Sequence, residues 1–147
     1  MTDARKANPS RVRAAIAGTL LVAGCVAAQP QSADFPVGAT FAWAGTDANG
    51  ARRNAPADPT RYTIQFDASG QATLRLDCNR GSSQWKRDGD RLSLTPVAST
   101  KMMCPRGSLD VAFAADLAQV AQWKLDGRDL VLSGRDGSTM RLRPVAP

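Results

Sequence analysis

The chain has 147 residues, 43% of them apolar, with 19 basic and 13 acidic side chains and a formal net charge of +6. That length suits one ordinary domain plus a short targeting segment, and the apolar share excludes wholesale disorder. There is no histidine and every acidic side chain is an aspartate, which excludes Ser-His pairs and histidine zinc sites and leaves catalysis poorly supported.

Residues 1–13 are polar and basic, and residues 14–24 (AAIAGTLLVAG) are apolar and uncharged. A membrane span takes about 20 apolar residues, so this short stretch behind a basic start reads as a secretory signal. Its end, Leu21-Val22-Ala23-Gly24-Cys25, resembles a bacterial lipobox. In that pattern the small residues admit the peptidase, and the Cys25 sulfur takes a diacylglycerol and becomes the first mature residue. The resemblance implies attachment to a membrane through an N-terminal lipid. With Val26 in place of an aspartate, it implies an outer-membrane lipoprotein facing the periplasm. A plain signal cut near Ala27-Ala28, with Cys25 discarded, is the alternative. Residues 26–36, rich in Ala, Gln, Pro and Ser, read as a tether. The organisation is therefore a signal over 1–24, a lipidated tether over 25–37 and a folded domain over 38–147. Without residues 1–24 the count falls to 15 basic and 12 acidic groups, a net of +3, scattered along the chain. That footprint excludes nucleic acid as a partner.

In the body, residues 39–43 (ATFAW) alternate weakly as a first strand, and residues 45–60, with Pro56 and Pro59, read as a long loop. Tyr62, Ile64 and Phe66 then alternate with polar neighbours, Ala68-Ser69-Gly70 turns the chain, and Leu74 and Leu76 continue the buried face. A second hairpin follows over 83–87 and 91–95, around Asp88-Gly89, with Trp85, Leu92 and Leu94 apolar. Residues 106–122 break the alternation. Ser108 suits a helix cap, and Leu109, Ala112, Phe113, Leu117 and Val120 share one helical face. Asp116 falls on the same arc, either as a rim residue reaching water or as the partner of an arginine across the domain edge. Strands return at 122–126, 129–133 and 139–143, with turns at Asp126-Gly127 and Asp136-Gly137. The pattern predicts an α+β fold: a curled antiparallel sheet of about eight strands, a partly closed barrel, with one helix before the last three strands. Trp43, Trp85 and Trp123 fit core or cavity-lining positions, and at least one of Met102 and Met103 is expected to pack inward.

Two segments, Cys78-Asn79-Arg80 and residues 98–105 (ASTKMMCP), resemble the two motifs of the META domain family, in particular the HslJ-like bacterial lipoproteins. The helix with Phe113 and Leu117 and the final strands with Asp-Gly turns fit the same family, so the resemblance covers about residues 38–144. Asp77, Gly81 and Lys101 depart from its usual residues. The resemblance implies an envelope protein linked in general terms to stress and antibiotic tolerance, with no agreed enzymatic activity, ligand or cofactor.

With Cys25 acylated, Cys78 and Cys104 are the remaining cysteines, and an exported chain favours joining them in a disulfide over leaving two buried thiols. Such a bridge would bring Asn79, Arg80, Thr100 and Lys101 together. Amide, guanidinium, hydroxyl and ammonium groups could grip an anion there, or the first and third could tie the loop while the cations stay solvated. The expected function is non-catalytic binding or structural support at the envelope, toward an envelope protein or small ligand. The alternative is a periplasmic small-ligand carrier or an inhibitor of a wall-degrading enzyme.

Overall fold

Alternating side chains become the inner and outer faces of a barrel. The computed structural model describes residues 34–146, within the unit Ser32–Pro147. The signal, Cys25 and most of the tether lie outside the described residues. The elements run β1 (Thr40–Ala48), β2 (Ala51–Asn54), β3 (Tyr62–Phe66), β4 (Gln71–Leu76), β5 (Asn79–Asp88), β6 (Arg91–Leu94), β7 (Ala98–Ser99), α1 (Asp110–Gln119), β8 (Val120–Asp126), β9 (Asp129–Gly134) and β10 (Thr139–Pro144).

All pairings are antiparallel. The path β10-β9-β8-β6-β5-β4-β3-β1 closes on itself because β10 also pairs with β1, from Phe41 opposite Pro144 to Asp47 opposite Thr139. The sheet is thus a closed eight-stranded barrel, with β2 attached to β1 and β7 to β5. The narrowest join is between β6 and β8, which pair only at Arg91 and Gln122. Closure buries both edges that an open sheet would expose.

Side chains fill the interior. Trp43, Ile64, Leu74, Leu76, Leu92, Leu130, Leu132, Met140 and Leu142 are all buried. At the end where Phe66 leads into the β3–β4 turn, the ring centroids of Phe66, Trp85 and Trp123 each lie within 4.9 Å of Phe35. Arg87 lies over both the Phe35 and Trp123 rings. At the opposite end α1 closes the barrel. Its Phe113 stacks on Trp43 at 4.9 Å, with Leu117 one turn further on, both buried.

Four sequence expectations change, and one open alternative, at Asp116, is decided. Phe35 is no tether residue: it is only 6% exposed and part of the core. Residues 45–60 are not one long loop, because β1 continues to Ala48 and turns at Asn49 (φ 53°) and Gly50 (φ 76°) into β2. The helix is shorter than 106–122. It begins at Asp110 without a side-chain cap on Leu109, and Val120 already turns into β8. Ser108 instead accepts the Asp110 N–H at 3.4 Å. Asp116 is 4% exposed, so it is the arginine partner and not a rim residue. Finally, Met102 and Met103 are 63% and 99% exposed, so neither packs inward.

Candidate functional site

The turn between β4 and β5 and the long excursion after β7 meet at the helix-capped end. Cys78 and Cys104 are joined there as a disulfide, with Cα atoms 5.5 Å apart. Next to the bridge, Asn79 is buried at the start of β5 and holds the excursion in place. Its Oδ1 accepts from the Met102 backbone N–H and the Thr100 hydroxyl, both at 2.8 Å. Its amide nitrogen faces acceptors only: the Met102 carbonyl at 3.2 Å, Asp110 Oδ2 at 3.2 Å and Cys104 Sγ at 3.4 Å. The amide orientation follows, since a backbone N–H can only donate. Thr100 completes the tie, accepting from the Arg80 N–H at 3.1 Å, while its own N–H donates to the Arg80 carbonyl at 2.9 Å.

The four flanking residues therefore separate into two pairs. Asn79 and Thr100 direct their side-chain bonds into the loop, and Arg80 and Lys101 are exposed to solvent. Two of the residues that depart from the family pattern, Gly81 and Asp77, have local reasons. A Cβ on Gly81 would lie 2.7 Å from Leu76 Cδ1 and 3.1 Å from the Ala98 carbonyl oxygen, because β7 crosses β5 there. Asp77 sits in the left-handed region (φ 60°), buried, with its carboxylate ion-paired to Arg61.

Two clefts flank the tied loop. One, of about 230 Å³, lies between Lys101–Met102 and the first turns of α1, with Asn79 in its wall. The other, of about 340 Å³, lies between residues 55–62 and 105–109.

A network that the sequence reading left open sits at the same end. Arg53, on β2, donates to Asp116 on the helix at 2.5 Å and to Asp136 in the β9–β10 turn at 3.0 Å. Asn54 donates to the second Asp116 oxygen at 3.1 Å. Hydrogen bonds from the Ser138 side chain, then Arg53, then the Ser138 backbone hold the Asp136 pKa down at about 2. The signal that locates Arg53 is Asn49-Gly50, a dipeptide suited to a two-residue hairpin turn, which makes residues 51–54 a strand.

The model of the META domain family matches residues 39–146. No curated protein matches the chain. Among solved structures, the chain is similar to a Burkholderia xenovorans protein determined by NMR, with a TM-score of 0.62 and 20% identity over 76% of this chain and 84% of that one. It is also similar to a DUF4847 family protein from Bacteroides vulgatus, with a TM-score of 0.50 and 18% identity over 71% of this chain and 91% of that one. At these identities the likeness is one of fold.

Proposed function

The chain belongs to the META domain family, and from that premise we propose that it is a lipid-anchored protein of the bacterial envelope that acts by binding and not by catalysis. The observation that carries this reading is the rigid tie at the helix-capped end. Asn79 and the disulfide fix the backbone of the loop, while Arg80, Lys101, Met102 and Met103 project from it into solvent. A fixed backbone lowers the ordering cost of association, so a partner meets a surface already in place. Arg80 and Lys101 supply the charge, and Asn79 and Thr100 supply the support. The packed barrel interior favours a ligand bound on the outside over one carried in a lumen.

Anchoring rests on the apolar stretch ending at Cys25, where acyl chains contribute about 0.8 kcal/mol per buried methylene. The outer membrane is the proposed site, facing the periplasm, with a role in envelope stress or antibiotic tolerance as the family suggests. The test combines two measurements on cells. Fractionation with intact mass should find an acylated chain beginning at Cys25; a fully soluble chain beginning further on would remove the anchor. Cross-linking should then recover envelope proteins with the natural chain and lose them with the folded Arg80→Ala/Lys101→Ala variant. Unchanged cross-links would remove this surface.

A further inference from the structure

The larger cleft beside the disulfide carries charges that the tied loop does not use. Its volume, about 340 Å³, lies within the ordinary range for a small-molecule site. Two aspartates, Asp58 and Asp77, and two arginines, Arg61 and Arg106, line it in equal number. Pro56, Pro105 and Leu109 provide apolar wall between them.

Much of the hydrogen-bonding capacity here is unspent. Tyr62 is 5% exposed, and its hydroxyl oxygen accepts the Leu109 N–H at 2.9 Å. Its own O–H has no acceptor among the described residues. Asp77 is 4% exposed, and its Oδ1 meets Arg61 as an ion pair but takes no hydrogen bond of ordinary geometry. Asp58 uses Oδ1 for both the Thr60 N–H (3.0 Å) and hydroxyl (2.6 Å), and Oδ2 has no partner among the described residues. Arg106 is exposed and makes no ion pair among the described residues. Tyr62 lines the cleft, so its O–H is available to a group bound there.

The geometry points to a binding site for a zwitterion, an amino acid or short unblocked peptide, with its ammonium on Asp58 and its carboxylate on Arg106 and the Tyr62 hydroxyl. An anion alone would meet two carboxylates here, and a cation alone two guanidiniums. A ligand bearing both signs meets a partner at each end. The apolar wall between the charged groups suits a small side chain. This site lies apart from the surface of Arg80 and Lys101 and goes beyond the binding role proposed there.

Alanylalanine is the probe. Titrated into the isotope-labelled full chain, it should shift the Gly107 and Ser108 amide signals saturably, in the millimolar range or tighter. Its N-acetylated and C-amidated forms should bind at least about tenfold more weakly, as should the unblocked dipeptide toward Arg106→Ala and Asp58→Asn. Both variant positions are exposed, and asparagine caps the Pro59–Arg61 turn as aspartate does, so folding is preserved. No saturable shift overturns the inference, as does equal binding of the blocked peptides or unchanged affinity in both variants. If alanylalanine fails while cross-linking through Arg80 and Lys101 persists, the ligand class falls and the binding role stands. If alanylalanine binds and those cross-links never form, the cleft stands and the tied surface falls.

Discussion

Asn79→Asp keeps the shape of the side chain and replaces a donor by an anionic oxygen. The amide nitrogen lies 3.2 Å from Asp110 Oδ2, so the substitution sets two carboxylate oxygens at that separation. Two unit charges about 4 Å apart interact by roughly 4 kcal/mol at an effective dielectric constant of about 20. Asp110 is only half-buried, so water screens part of this, and the expected loss of stability at neutral pH is about 2–4 kcal/mol. Like charges in one site resist joint ionisation, so the folded variant holds a proton more tightly than the unfolded chain does. Its folded pKa is raised, which makes the stability deficit full at neutral pH and smaller as pH falls toward the unfolded carboxylate value of about 4. Urea unfolding of both proteins at neutral pH and at about pH 4.5 should show the deficit shrinking by at least half. Asn79→Ala is the control: it loses every loop bond of the side chain, those accepted by Oδ1 included, without adding charge, costing about 2–3 kcal/mol at either pH. A deficit for Asn79→Asp below about 0.5 kcal/mol at neutral pH, or one that acidification leaves unchanged, would refute the placement of the amide against Asp110.

Phe35→Ala should cost about 3–4 kcal/mol, because the ring sits among Phe66, Trp85 and Trp123; an unchanged denaturant midpoint would return it to the tether. Asp116→Asn should cost about 1–2 kcal/mol, against about 0.5 kcal/mol for an ordinary surface change, since it weakens the bonds from Arg53 and Asn54. Reducing Cys78–Cys104, 26 residues apart in sequence, should lower stability by about 3.5 kcal/mol in the chain-entropy account; a loss below about 1 kcal/mol would show that the loop is held by Asn79 alone. Asp136, with its folded pKa depressed to about 2, contributes stability that is complete above the unfolded carboxylate value and disappears as pH falls through about 2. Asp136→Asn should therefore flatten the acid limb of the stability profile, and an identical limb in the variant would exclude this contribution.

The strands and their inward residues were legible because one face of each is buried and the other wet, so Tyr62-Ile64-Phe66 and Trp123-Leu125 announce themselves by alternation. Two motif segments pointed to the tied loop, and the bridge put them in contact. What alternation could not convey was contact between distant elements. Asp116 lies on the apolar arc of its helix, but its partner Arg53 is 63 residues away, on a strand hidden inside an apparent loop. Phe35 sits beside prolines and polar residues, and only the unfilled mouth of the barrel, seen in three dimensions, accounts for its burial. Met102 and Met103 misled in the opposite sense: thioethers suggest a core, but Asn79 ties both backbone groups of Met102 and the two side chains lie exposed.

The pairing of β1 with β10 also has a temporal meaning. Phe41 finds its neighbour Ile64 within a short stretch of growing chain, but its other neighbour, Pro144, is among the last described residues to be synthesised. Without β10, β1 has a bare edge and the sheet cannot close. Contacts so distant in sequence form slowly and leave the incomplete chain open to pairing with other chains. The last strand thus acts as a latch. A chain truncated before Thr139 would keep that edge bare and open to pairing with other chains, and would not fold as a smaller working domain.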